Sequence, residues 1–390
     1  MASTGKAPPK IVLRFNVPKK VLNAHDQMKV TKKVVSPRDQ TKERYLSIKT
    51  IGEGSEGVVE LCMLRTVVKL ALRDKSAALS DTLKGSVRVV KYYKPDSRSD
   101  YDHLYEISVL RRIPENPYIQ SLWEFDRKKK LWMTMPFYAG GSLRDFRKKL
   151  GKQVPESFVW HVVLQTLGGL HHLHSSGFAH GDIFDRNIMV DPAEREYKDY
   201  PNIVLCDFGR GIRESKSTPV NFKDAQTMDL INLGNEWHDL AHRSFPLGES
   251  DAEELDAEES DVEDTIARFS DGGCGCVDLG VDETPFGRDD DLFNRLMSST
   301  SENVIDAAGT TIDTVRRDFY WDLLNRRERT YAKMPLIAEL LFRNNMPKDR
   351  EMEDALKRHV FEKKAATAAT QGCKRKRASY ESGETDDSSA

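Results

Sequence analysis

His180-Gly181-Asp182-Ile183-Phe184-Asp185-Arg186-Asn187, followed further on by Cys206-Asp207-Phe208-Gly209, is the stretch on which the fold turns. It begins just after ESFVWHVVLQTLGGLHHLHSSG, whose apolar periodicity predicts a long helix ending at Gly177. An Asp with an Asn five residues on, ahead of the short apolar strand IMV, can hold a proton acceptor and a metal ligand on one loop. Asp207 closes a second strand, NIVLC, and brings a further carboxylate beside that loop.

Upstream, the text is β-like. YLSIKTIGEGSEGVVELCML carries Gly52, Gly54 and Gly57 between two strand-like runs. Glycines let a hairpin backbone approach phosphates where a Cβ would intrude. No helix follows, which disfavours a dinucleotide-binding βαβ unit and favours a glycine-rich hairpin lid. A polar stretch, Arg65 to Ser86, separates this hairpin from the strand SVRVVK, which ends at Lys91. Fifteen residues on, Glu106 lies in a predicted helix beside Leu104, Ile107 and Leu110, poised at the core edge to pair with a lysine. NPYIQSLWEF and KLWMTMPFY, split by DRKKK, read as a hairpin. After GGSL the chain turns helical, with further helices expected at MDLINLGNEWHDLAH, TVRRDFYWDLLNRRERTY and PLIAELLFRNN.

Glycine loop, strand lysine, helix glutamate, Asp182…Asn187 loop and Asp-Phe-Gly, in that order, resemble the eukaryotic protein kinase family. Met135-Pro136-Phe137-Tyr138-Ala139-Gly140-Gly141-Ser142-Leu143 resembles that family's hinge, and Asp229-Leu230-Ile231-Asn232-Leu233-Gly234 the start of its central helix. PKDREMEDALKRHVF, around Arg350, resembles the end of its larger lobe. The resemblance runs over about residues 45–361. It implies an α+β, bilobal fold: a small β-rich N-lobe with one helix over 45–138, and a larger, mostly α C-lobe over 139–361. It also implies ATP and Mg²⁺ as cofactors and a protein substrate. Gly52, Gly54 and Gly57 would cover the phosphates. Lys91 would bind them while paired to Glu106, and Asp182 would orient the substrate hydroxyl. Asn187 and Asp207 would hold the metal. The backbones of Pro136 and Tyr138 would meet adenine, with Val59, Val89 and Met189 around the ring. Leu110, Leu122, His180 and Phe208 would stack as a buried spine anchored by Asp229.

The sequence also departs from the family. Gly181 replaces an arginine that answers activation-loop phosphorylation. Phe184 stands where Ser/Thr kinases carry a lysine for the γ-phosphate. Gly209 to Asp229 is short and lacks an Ala-Pro-Glu; Pro219 is its nearest counterpart. Arg350 resembles the arginine that would pair with the missing glutamate. The implied activity is Ser/Thr-directed phosphotransfer to protein. The alternatives are a nucleotide-binding scaffold without efficient transfer, and a small-molecule kinase, in which HGD is common.

Around this core the composition is polar: 390 residues, 38% hydrophobic and 31% charged, with formal net charge -2. No whole-chain basic field exists, which argues against nucleic acid as a partner. No window approaches a membrane span. The charge is uneven along the chain. Residues 1–44 hold eleven Lys/Arg against three Asp/Glu and read as a basic, disordered arm, with IVLRFNV as a short strand. Residues 249–264 carry ten acids and no base, an acidic disordered insert, and 362–390 a disordered tail. Arm and insert could pair by opposite charge. Cys62, Cys206, Cys274, Cys276 and Cys373 form no disulfide framework, and MASTGKAPPK lacks a signal-peptide core. The expected setting is intracellular: cytoplasmic, and nuclear if the cluster KRKR at 374–377 acts as an import signal. His171, His172 and His174 are expected to cap the C-terminus of their helix.

Overall fold

The computed structural model describes residues 36–54, 57–71, 83–94, 102–129, 131–150, 154–215, 219–242, 290–334 and 346–359. The chain divides before Pro37, and everything below belongs to the second unit, Pro37–Ala390. The strand in IVLRFNV, the acidic insert, Cys274 and Cys276, the helix at PLIAELLFRNN and the C-terminal tail fall outside the described residues. So does the pairing of arm and insert.

The first half is a five-stranded sheet. Its strands are β1 (Tyr45–Glu53), β2 (Gly57–Leu64), β3 (Val87–Tyr93), β4 (Glu124–Phe125) and β5 (Trp132–Met135), ordered β1-β2-β3-β5-β4. All the pairings are antiparallel. Register sets Val59 opposite Lys91 and Lys91 opposite Met133; one step along, Leu61, Val89 and Met135 align. Strand alternation therefore puts Val87, Val89, Lys91 and Tyr93 on one face and Val90 and Tyr92 on the other. On the outer face Tyr45, Cys62, Val90, Tyr92 and Trp132 form their own apolar cluster.

That outer face is covered from a direction the sequence reading missed. A short helix, α1 (Pro37–Thr41), lies inside the stretch expected to be a disordered arm. Thr41 Oγ1 shares a 2.7 Å hydrogen bond with the Tyr92 hydroxyl, Gln40 accepts from Trp132 Nε1, and Arg38 forms an ion pair with Glu60. The expectation of a single N-lobe helix is corrected as well. The polar stretch after β2 opens with α2 (Arg65–Ala71), which buries Val68 against Leu61, Met63 and Val87. The expected helix carrying Glu106 is α3 (Asp102–Leu110).

The second half is helical: α4 (Leu143–Leu150), α5 (Glu156–Ser175), α6 (Pro219–His242), α7 (Asp291–Ser299), α8 (Glu302–Ala308) and α9 (Ile312–Arg329). Small strand pairings also lie here, from β6 (Phe178–Ala179), β7 (Ile188–Asp191), β8 (Asn202–Leu205) and β9 (Ile212–Arg213), with β6 on β9 and β7 on β8. This half is built around α5, whose Phe158, Val159, Trp160, Val163, Leu167, Leu170 and Leu173 are buried. The Trp237 indole on α6 donates to Thr166 Oγ1 at 2.9 Å. One core cluster runs through both halves, joining Ile107 and Leu110 of α3 and Met133 of β5 to Leu167, Phe208 and Leu233.

Two expectations need correction here. The histidines at the end of α5 do not cap it. His172 Nε2 meets the Pro114 carbonyl, His171 meets Asp313, and His174 meets Asp229, while Ser176 satisfies the final carbonyls. The segment around Arg350 does not close the helical half either. Residues 349–359 form a further helix, α10, whose Met352 and Ala355 are buried in the cluster of Leu46, Ile48, Leu61, Val87 and Val89 on the N-lobe sheet. The physical reason is its apolar spacing: Met352, Ala355 and Leu356 form a stripe that fits an uncovered apolar sheet face. Arg350 itself is exposed.

Candidate functional site

The site forms where β3, α3, the loop after β6 and the turn after β8 converge. Strand β3 runs two residues past the expected end at Lys91, to Tyr93; Lys91 lies within it with its side chain on the inner face, and its Nζ donates to Glu106 Oε2 at 2.9 Å. Glu106 is fully enclosed because Ile107 and Leu110 draw its face of α3 into the core. It also accepts from the Tyr93 hydroxyl at 2.6 Å. Lys91 Nζ reaches Asp207 Oδ1 at 3.2 Å, so one ammonium serves two carboxylates. Their environments push them apart. Burial raises the Glu106 carboxyl above its ordinary value, against the pull of Lys91. Burial acts upward on Asp207 too, but there Lys91 more than offsets it and holds the carboxyl low. Asp207 thus presents an ionised, part-exposed oxygen at the site.

Asp182 sits on the loop after β6. Asn187 Nδ2 donates to both the backbone carbonyl and Oδ2 of Asp182, each at 2.8 Å. The 3₁₀ turn Asp185–Asn187 sets this geometry, and Arg144 braces it through Asp185 at 2.8 Å. Below the loop, the buried Asp229 carboxylate accepts from His180 N at 2.6 Å, Gly181 N at 2.8 Å and His174 Nε2 at 2.9 Å. His180 stacks on Phe208 with ring centroids 4.8 Å apart and reaches the Cys206 carbonyl. Leu110 and Leu122 pack on the same cluster as Phe208.

Gly181 has φ +76°, and a Cβ there would collide with the Arg210 carbonyl. The missing arginine is therefore tied to the backbone: the loop lies so close to the turn after Phe208 that only glycine fits. Gly57 is fixed likewise, since a Cβ would strike the Tyr92 carbonyl on the neighbouring strand β3. Gly52 and Gly54 differ: a Cβ would meet only Val59 at ordinary contact, or nothing at all. They leave room over the sheet edge, as a lid over a ligand requires. Of the other expected ring contacts, Val89 is buried, and Val59, Met189 and Pro136 are half-buried. The Tyr138 carbonyl is engaged by Gly141 N at 3.0 Å, so the edge it offers a ligand is its N–H.

Two residues at the site escaped the sequence reading. Arg186 and Arg210 both approach Asp182 Oδ1, at 3.6 and 3.7 Å. The Arg186 guanidinium lies over the Phe184 ring, 4.7 Å from its centroid. The available signal was a cation four residues after Asp182 beside an aromatic at 184.

A divalent cation fits the donor set. Asn187 spends both amide protons on Asp182, which leaves its amide oxygen for a ligand; Asp207 adds an ionised oxygen. Two oxygen donors with the remaining positions left to phosphate and water suit Mg²⁺. Among the described residues no group of three or more His, Cys, Asp or Glu side chains is placed to hold a metal by itself.

A glycine-lidded sheet, a lysine–glutamate pair and an Asp–Asn loop together form an arrangement like that of the protein kinases. Residues 45–228 match the protein kinase domain. Over these residues, somewhat less than half of the chain, the sequence is similar to eukaryotic protein kinases. It is 28% identical over 186 residues to the sporulation protein kinase mde3 of Schizosaccharomyces pombe, covering 46% of this chain and 31% of that protein. It is 28% identical over 187 residues to the serine/threonine-protein kinase fray1 of Dictyostelium discoideum, covering 48% and 29%. It is 30% identical over 126 residues to the human mitogen-activated protein kinase kinase kinase kinase 3, covering 32% and 13%. The matched stretch spans less than a third of the length of each of these relatives.

Proposed function

We propose that this protein transfers the γ-phosphate of Mg-ATP to a serine or threonine hydroxyl of a protein substrate. The observation that carries the reading is the shared lysine. Lys91 lies 2.9 Å from Glu106 and 3.2 Å from Asp207, the arrangement that aligns phosphates with a metal-binding carboxylate. The Ser/Thr preference rests on the names of the similar kinases.

Each group has a task that its environment suits. Lys91, held by Glu106, positions the α- and β-phosphates. Asn187 and Asp207 would hold Mg²⁺, which would neutralise the negative charge of the phosphates. Asp182, fixed by two hydrogen bonds from Asn187, orients the incoming hydroxyl and receives its proton. Arg186 and Arg210 stand where positive charge is needed beside the transferring group, since Phe184 supplies none. Phosphoryl transfer asks for little covalent chemistry, so such positioning and charge are the main contributions.

The test is incorporation of labelled γ-phosphate into a panel of Ser, Thr and Tyr peptides by the full chain and by Asp182→Asn. Transfer to Ser/Thr peptides, lost in the variant while Mg-ATP still binds, supports the reading. Binding without transfer in the wild-type chain contradicts it and indicates a scaffold. Intracellular residence belongs to the same proposal: deleting 374–377 shifts a fluorescently tagged chain from nucleus to cytoplasm if that cluster acts as an import signal.

A further inference from the structure

The kinase-domain match ends at residue 228, yet the N-lobe sheet is completed by residues more than a hundred positions beyond that. Helix α10 buries Met352 and Ala355 in one apolar cluster with Leu46, Ile48, Leu61, Met63, Val87 and Val89. Val59, Met135, Phe137 and Leu356 pack against that same cluster. Val59 and Val89 would enclose the adenine ring, and Met135 and Phe137 flank the hinge residue Pro136. The apolar wall of the nucleotide site and the seat of α10 are thus one continuous body of side chains.

Polar contacts fix the helix in register at both ends. Lys49 Nζ meets Glu351 Oε1 at 2.9 Å, and Lys84 meets Asp349 at 3.2 Å. Arg358 donates to the backbone carbonyls of Ser47, at 3.4 Å, and Ile48, at 2.9 Å, while Arg65 contacts His359. These partners lie on β1, which forms one arm of the glycine hairpin, on α2, which follows the other arm, and at Lys84, which leads into the strand carrying Lys91. Densely packed interiors transmit such support because they deform little.

We infer that Met352, Ala355 and Leu356 are positioning residues for the nucleotide: α10 docks on the N-lobe and holds Val59 and Val89 in the posture that encloses adenine. The inference rests on the nucleotide reading above and adds to it a part of the chain outside the matched domain. With α10 in place, affinity for Mg-ATP is high; with it displaced, the wall relaxes and affinity falls while Asp182 and Asn187 keep their geometry.

The experiment is calorimetric titration of Mg-ATP into the full chain and its variants, paired with KM and kcat for ATP. Lys91→Met sets the baseline for lost binding. Met352→Asp, which places a carboxylate in the apolar cluster, is expected to raise Kd and the KM for ATP at least tenfold with kcat within about threefold of wild type. Because that variant tests folding too, a charge swap accompanies it. Lys49→Glu raises Kd a few-fold through like-charge repulsion with Glu351, and adding Glu351→Lys restores it. Wild-type Kd in folded Met352→Asp, or no rescue by the swap, overturns the inference and leaves the nucleotide reading intact. No binding by the wild-type chain overturns both.

Discussion

Lys91 divides one positive charge between two carboxylates, and the division sets what each can do. Glu106, desolvated and bridged by Tyr93, is the structural partner; Asp207 is the one left part-exposed and ionised. Glu106→Gln should lower transfer strongly, because Lys91 then swings to Asp207 alone; breaking a buried ion pair costs about 3–5 kcal/mol. The check is a single-turnover assay beside a thermal melt. Arg186 is a second case. Its guanidinium is steered by Phe184 toward Asp182. Arg186→Ala should slow transfer roughly tenfold to a hundredfold without a change in melting temperature, and Arg186→Lys should recover part of the rate. Glu236, on α6, supplies a pH signature. Burial, with Asp185 and Asp239 nearby, pushes its carboxyl up to about 7. The folded state then binds a proton that the unfolded chain, with an ordinary glutamate near 4.5, releases earlier. Stability from this group is full below that ordinary value and is lost as pH rises toward 7. Glu236→Gln should flatten the decline in denaturant midpoint between about pH 4.5 and 7. Asp191, raised to about 6 by burial, leaves a residual slope of the same sign.

At the scale of elements, the loop after β6 is held from below by the buried Asp229 carboxylate and pressed from the side by the turn after Phe208. Gly181→Ala should cost about 1–3 kcal/mol in urea unfolding, since it adds both a disfavoured positive φ and a clash with the Arg210 carbonyl. Which elements could be read from sequence follows from how local their causes are. The α5 helix, the β4–β5 hairpin and the α3 face carrying Glu106 are written in periodicities of a few residues. The pairing of Lys91 with Glu106 and the Asp182–Asn187 bonds span only fifteen and five positions. The covering of the sheet is not local. The Lys49–Glu351 pair is separated by 302 positions. Helix α1 is held by Tyr92 and Trp132 contacts that no window around Pro37 contains. Arg186 was hidden for another reason: a cation in an irregular loop has no periodic direction, and only the 3₁₀ turn aims it.

Over the whole molecule, one apolar core ties α3 and β5 to the helical half, so the lysine–glutamate pair and the Asp–Asn loop belong to a single body of side chains. A second cluster ties the sheet to the chain's distal helix. The proposed activity requires that this body seat a metal-bound nucleoside triphosphate against Lys91, Asp207 and Asn187. Calorimetric titration of ATP into the full chain, with and without Mg²⁺ and with Asp207→Asn, decides whether it does. Binding should be saturable and one-to-one, should tighten when Mg²⁺ is present, and should lose that metal dependence in Asp207→Asn. An absence of binding, or an affinity that ignores both the metal and Asp207, would contradict it.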